Sequence, residues 1–140
     1  TWSRGHTYFE KDLQFVTHID FTEPYCASLR ELMISGARAH DISVTEHGVY
    51  GATQGPRLET AAEIDRLERD GCTVVGMTGM PEAALARELD LCYAAINVVA
   101  NKAAGRGDGE ITIEDIRDTL ESSMVHVRWL IEATVAQIAR

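Results

Sequence analysis

The chain has 140 residues, enough for one domain and not two. Hydrophobic residues make up 45% and charged residues 25%, so a packed core is expected and disorder is excluded. A net charge of −9 disfavours nucleic-acid binding, but leaves room for a small anion held by backbone N–H groups.

The longest apolar run, 91–100, is interrupted by Asn97 and falls short of the ~20 residues a membrane span needs. No basic stretch followed by an apolar one opens the chain, so neither a membrane span nor a secretory leader is expected, and the cytoplasm is the expected location. Cys26, Cys72 and Cys92 form no CxxC pair and no zinc spacing, and read as reduced, half-buried thiols. The opening Thr1-Trp2-Ser3-Arg4-Gly5-His6 reads as the middle of a loop. Either an initiator Met has been removed or the chain is half of something longer.

In chain order, the alternation over 13–19 predicts a strand, followed by a turn at Glu23-Pro24-Tyr25. Leu29, Leu32, Met33 and Ala37 lie near helical spacing and predict a helix over 27–40. Segment 42–52 is rich in Val and Thr but broken by Gly48 and Gly51, which suggests a bent strand. After a turn at Gly55-Pro56-Arg57, Thr60 with Glu63 forms a capping box that opens a helix to about Asp70, stopped by Gly71.

Residues 73–77 read as a short buried strand. Pro81 starts another helix, continued over 82–89, and 91–100 reads as a second buried strand. A glycine-bearing loop covers 101–110. Thr112 with Asp115 then opens a long helix whose apolar stripe runs Ile113, Ile116, Leu120, Met124, Val127, Leu130, Ile131, Val135 and Ile138.

Apolar strands alternating with helices predict an α/β fold: a mixed, largely parallel sheet with helices on both faces. Ligands of such sheets sit beyond the carboxyl ends of strands. That gives two addresses, Met77-Thr78-Gly79 and Asn101-Lys102. Thr78 either caps the following helix or meets an anion at its N-terminus. Asn101 either stabilises its own turn or uses its amide, donor and acceptor together, on a heterocycle. Met77 suits core or ligand floor, and Glu59 suits a helix start or a ligand contact. The five histidines show no HxxH or HExxH spacing, and His18 with Asp20 reads as a surface pair, so no metal is expected.

Taken together, several segments are recognisable: Gly48-Val49-Tyr50, Gly55-Pro56-Arg57-Leu58-Glu59-Thr60 with Ala62-Glu63, Val75-Gly76-Met77-Thr78 with Met80-Pro81-Glu82, and Ala100-Asn101-Lys102. With the earlier His18-Ile19-Asp20-Phe21-Thr22-Glu23-Pro24-Tyr25-Cys26, their order and spacing resemble the purine nucleoside phosphorylase and methylthioadenosine phosphorylase family. The resemblance covers the C-terminal half of that family's single domain. The glycine-rich first turn and the phosphate-gripping Arg and His of the other half have no counterpart here.

The resemblance implies phosphorolysis: phosphate attacks the anomeric carbon, the sugar passes through a cation, and the purine leaves. No cofactor is implied beyond inorganic phosphate as co-substrate. By residue match, Thr78 would donate to phosphate, and Met77 and Tyr50 would line the ribose site. Leu58 would pack on the base where Phe is more usual, and Glu59 would meet the base edge. Asn101 would be the catalytic contact, at the six-position and N7.

Adenine-preferring members carry Asp where this chain has Asn101, and a second Asp where it has Ala103. Asparagine can donate to a 6-oxo oxygen and accept from a protonated N7, which points to a 6-oxopurine. Ile113 stands where a His would meet a 5′-hydroxyl, and an apolar side chain suits a methylthio group. The implied substrate is S-methyl-5′-thioinosine; the alternatives are a phosphorylase of methylthioadenosine or of ordinary inosine and guanosine, a nucleosidase of the same fold that hydrolyses without phosphate, and an inactive fragment that lacks the phosphate-binding half. The implied partners are that nucleoside and phosphate, two further copies in a homotrimer, and the missing half, conceivably as a separate chain, with no nucleic acid and no membrane.

Overall fold

A computed structural model describes residues 3–11 and 15–139. The element order is α1 (Ala27–Ala39), β1 (Tyr50–Ala52), α2 (Ala61–Arg69), β2 (Val74–Gly76), α3 (Gly79–Glu88) and α4 (Ile113–Ile138). The strands β1 and β2 pair in parallel, Tyr50 opposite Val74 and Ala52 opposite Gly76, with α2 as the crossover. This is the α/β arrangement expected, as a two-stranded sheet among the described residues.

Helices α2 and α4 start where their local chemistry says they should. Thr60 Oγ1 accepts from Glu63 N while the Glu63 side chain accepts from Thr60 N, so both halves of the capping box form. Thr112 Oγ1 accepts from Asp115 N at the start of α4. The α1–α4 contact rests on small residues. A Cβ on Gly36 would stand 3.4 Å from Ala133 Cβ and 3.4 Å from Leu130 Cδ1, so the α1 backbone lies close against these α4 side chains. Ala37 and Leu130 are buried there.

Several expectations are corrected. Residues 15–19 form no strand, and Leu13 and Gln14 of that stretch lie outside the described residues. Only Tyr50–Ala52 of segment 42–52 pairs. Residues 91–100 are not a strand either. A strand exists by ladder pairing, and no described segment forms a ladder with this one; its Tyr93 carbonyl accepts a single bond from Cys26 N.

On α4 the buried and half-buried line is Ile116, Thr119, Ser123, Val127, Leu130, Ala133, Thr134 and Gln137; of the predicted stripe Ile116, Val127 and Leu130 lie on it, whereas Ile113, Leu120, Met124, Ile131, Val135 and Ile138 are exposed. Cys26 and Cys92 are joined in a disulfide, not reduced, with Cα atoms 5.2 Å apart; Cys72 is free and half-buried as expected. Asp20 accepts from Thr22 N and Oγ1, at 3.0 and 2.7 Å, where a pairing with His18 was expected. These two bonds hold its carboxyl below the usual range.

Candidate functional site

The turn after β2 is built around a phenol. Tyr50 points from β1 across the carboxyl end of β2, and its Oη accepts from Thr78 N at 3.3 Å and from Gly79 N at 3.4 Å. A Cβ on Gly76 would stand 2.1 Å from that Oη, and one on Gly79 would stand 3.0 Å from Tyr50 Cε1. The ring therefore leaves no room for a side chain at Gly76 and only a tight fit for one at Gly79. The Thr78 hydroxyl makes no capping bond to α3 and is exposed. Capping was one of two roles open to it, and this geometry does not use it.

Behind the turn, Tyr25 stacks on Tyr93 at 6.0 Å, and Tyr93 Oη donates to Glu82 Oε2 at 2.8 Å. Burial raises the pKa of both phenols; for Tyr93 the bond to Glu82 adds to the rise. Both hydroxyls stay protonated and can donate.

The loop after β1 carries the second group of residues. Gly55 has φ +66°, a left-handed conformation that favours glycine, and a Cβ there would meet Met77 Sδ at 2.4 Å. Met77 therefore lies directly on the Gly55 backbone, three residues from exposed Leu58. Glu59 Oε1 accepts from Thr53 Oγ1 at 2.6 Å, and Thr53 N donates to Gly76 O at 2.9 Å, which ties this loop to β2. Thr53, Gln54, Gly55, Arg57, Glu59 and Arg66 line a groove of about 350 Å³.

Its outer wall is held by Arg57, which grips Glu63 in a fork at 2.8 and 2.9 Å. This fork, with bonds from Thr60, lowers the Glu63 pKa to about 2. Inside the groove Glu59 keeps its second oxygen without a partner among the described residues.

Asn101 is half-buried and its Nδ2 donates to Lys102 O at 2.7 Å. Part of its expected alternative, a turn asparagine serving its own loop, is thus realised. The loop that follows is pinned to α2 by Arg106, which reaches Asp65 at 2.9 Å and Glu68 at 2.5 Å. Ile113 stands 70% exposed at the first position of α4.

The fold thus brings Tyr50, Met77, Thr78 and Glu59 onto one end of the β1–β2 pair. Among the described residues Asn101 makes no hydrogen bond to any of those four; its side chain bonds Lys102 O instead. Sequence reasoning missed Thr53, which orients Glu59, and Arg4, whose guanidinium lies on the turn; neither stands in a recognisable motif. Among the described residues no group of three or more His, Cys, Asp or Glu side chains could hold a metal ion. No described helix is long and apolar enough to cross a membrane.

Comparison with known proteins gives this end of the sheet a family. A model of the phosphorylase superfamily matches residues 2–136. The chain belongs to the phosphorylase superfamily. Among its superfamily relatives, a probable S-methyl-5′-thioinosine phosphorylase of Pseudomonas syringae pv. tomato is 51% identical over 138 residues, covering 99% of this chain and 54% of the relative. The 6-oxopurine nucleoside phosphorylase of Pyrococcus furiosus is 39% identical, covering 100% and 55%.

Among superfamily structures, an adenosine/methylthioadenosine phosphorylase double mutant from Schistosoma mansoni, in complex with adenine, superposes with a TM-score of 0.93. It is 28% identical, and the match covers 99% of this chain and 56% of that one. The chain spans about half the length of the curated relatives it matches.

Proposed function

We propose that this chain is the C-terminal half of a phosphorylase active site for 6-oxopurine nucleosides, with S-methyl-5′-thioinosine as the substrate. The products are hypoxanthine and 5-methylthioribose 1-phosphate. Asn101 carries the reading. One N–H of its amide is committed to Lys102 O, which fixes the plane of the amide. The second N–H and Oδ1 remain for a ligand, a donor for a 6-oxo oxygen beside an acceptor for N7–H. The names of the Pseudomonas and Pyrococcus relatives, S-methyl-5′-thioinosine and 6-oxopurine, agree with that pattern.

In the reaction, a phosphate oxygen bonds to C1′ as the C1′–N9 bond breaks. The electron pair passes into the purine, and the proton that hydrogen phosphate gives up reaches N7 through solvent. Asn101 Oδ1 accepts that N7–H, and its free N–H meets the developing charge on O6. Fixed dipoles of this kind stabilise a leaving group by several kcal/mol, because they need no reorganisation during the step. Glu59, oriented by Thr53, takes the base-edge N–H on its unused oxygen. Leu58 covers the ring, and Met77 and Tyr50 line the sugar. The Thr78 hydroxyl donates to phosphate, and Ile113 faces the methylthio group.

The remaining phosphate and ribose contacts come from an N-terminal half, in the same polypeptide or as a separate chain. The assembly is a homotrimer in the cytoplasm, where thiol reductants hold cysteines open and the Cys26–Cys92 bridge closes only on oxidation.

The test is base release by the native-length gene product, with phosphate present and then omitted. Phosphate-dependent release of hypoxanthine from S-methyl-5′-thioinosine, much faster than adenine from methylthioadenosine, is the expected result. Equal release without phosphate would mean hydrolysis. Activity confined to methylthioadenosine would discard the role given to Asn101.

A further inference from the structure

The turn that presents Thr78 is gripped from outside by one side chain 73 residues away. Arg4 Nη1 donates to Met77 O at 2.5 Å and to Met80 O at 2.8 Å, and Nη2 donates to Gln54 O at 2.9 Å. Met77 and Met80 bracket Thr78 and Gly79, so the guanidinium clamps both ends of the turn. Gln54 lies on the loop that carries Leu58 and Glu59, so the same group also ties that loop to the turn.

Such a clamp is needed because the turn has little else to hold it. Met80 sits at φ −122°, ψ 140°, outside helical geometry, and the Thr78 side chain makes no capping bond. Three carbonyl oxygens converge on one spot and would repel one another without a cation between them. On the opposite side, Thr78 N and Gly79 N face the Tyr50 phenol. The turn is therefore held between Arg4 on its carbonyl side and Tyr50 on its amide side, with the Thr78 hydroxyl left over.

We propose that Arg4 is a positioning residue for phosphate binding: it fixes the Met77–Met80 turn so that Thr78 presents its hydroxyl to phosphate. The proposal rests on the phosphorolytic reading above. Arg4 acts through backbone carbonyls and through no bond to substrate. A lysine cannot replace it, because one ammonium cannot span three carbonyls in two loops as the planar fork does.

The test compares Arg4→Ala and Arg4→Lys in the native-length protein, with Leu130→Ala at the α1–α4 contact as a destabilised control. Kinetics are run with inorganic phosphate and S-methyl-5′-thioinosine varied separately. In both Arg4 variants the KM for phosphate rises by about 10- to 100-fold, the scale of an ångström-sized misplacement. The KM for nucleoside changes by less than about threefold, since two of the three bonds hold the phosphate turn. Methylguanidinium added to Arg4→Ala restores part of the phosphate affinity and does nothing for Leu130→Ala.

An unchanged phosphate KM in Arg4→Lys overturns the proposal. So does a parallel loss in both KM values shared with Leu130→Ala, which would make the role structural only. Should Arg4→Ala not fold, Arg4→Lys decides alone. A wild-type protein that releases base equally without phosphate defeats the phosphorolytic reading itself, and the proposal falls with it, a result seen before any variant is made.

Discussion

At the scale of single residues, the most informative comparison is between Thr78 and Thr60, two threonines at helix starts. Thr60 uses its hydroxyl on Glu63 N, and Thr78 uses its hydroxyl on nothing in α3. Removing a working cap costs about 0.5–2 kcal/mol. Thr60→Ala is therefore expected to lower unfolding stability by that amount with activity retained. Thr78→Ala is expected to leave stability within about 0.5 kcal/mol of wild type and to raise the KM for phosphate. Denaturant titration and phosphate kinetics on the two variants check this; a Thr78→Ala loss matching that of Thr60→Ala would return Thr78 to a capping role.

Asn101 allows a sharper substitution. Asn101→Asp exchanges the amide donor for a second acceptor, so the 6-oxo oxygen meets a carboxylate. Losing one such donor costs about 10²–10³ in rate. The expected outcome is a drop of that order in kcat/KM for S-methyl-5′-thioinosine, with methylthioadenosine falling much less. These two residues can be singled out in the sequence because each follows an apolar run, Thr78 directly before Gly79 and Asn101 before a glycine-bearing loop. Arg4 cannot: the carbonyls it binds are backbone groups, which leave no mark on the sequence.

At the scale of elements, what could be read depended on whether the interaction is local. The capping box at Thr60 spans three residues, and both of its bonds form as expected. The strand expected at 91–100 depended on a neighbour that the described residues do not provide, and it is absent.

The same box gives a pH dependence. The fork from Arg57, then the Thr60 bonds, lower the Glu63 pKa from 4.5 to about 2. A carboxylate lowered on folding adds stability in full above its unfolded value, and loses it as pH falls toward the folded one. The window therefore runs from about pH 4.5 down to about pH 2. The stability gap between wild type and Glu63→Gln should be widest near neutral pH and close through that window. Urea midpoints at neutral pH and at several acidic values test it. A gap that does not change with pH would mean that the fork and the Thr60 bonds leave the Glu63 pKa unmoved.

At the scale of the whole molecule, the described residues bury little. Ala37, Ile64, Ala83, Ala86 and Leu130 make up the buried apolar set, and no large side chain is fully buried. Phe15, Val16, Val99 and Ile113 are each more than 60% exposed. The hydrophobic pattern marked 91–100 and the α4 stripe as core, and the described elements cover each only in part: Leu130 is buried against α1, while Leu91, Val99, Ile113, Ile131, Val135 and Ile138 stay exposed. The chain spans about half the length of its superfamily relatives, and surfaces patterned as core yet left exposed are what half of such a fold would present.

An uncovered apolar surface of this kind recruits other surfaces, and the β1–β2 pair adds unpaired edges. The 140-residue chain expressed alone is expected to bind a hydrophobic dye and to self-associate at micromolar concentration. The native-length protein, or the chain co-expressed with its N-terminal half, is expected to do neither above background. Sedimentation velocity with dye fluorescence separates these outcomes. A monomeric, dye-silent 140-residue chain would mean that α4 and residues 91–100 find cover within the chain, by a packing different from that in which α4 meets α1 through Gly36 and Leu130.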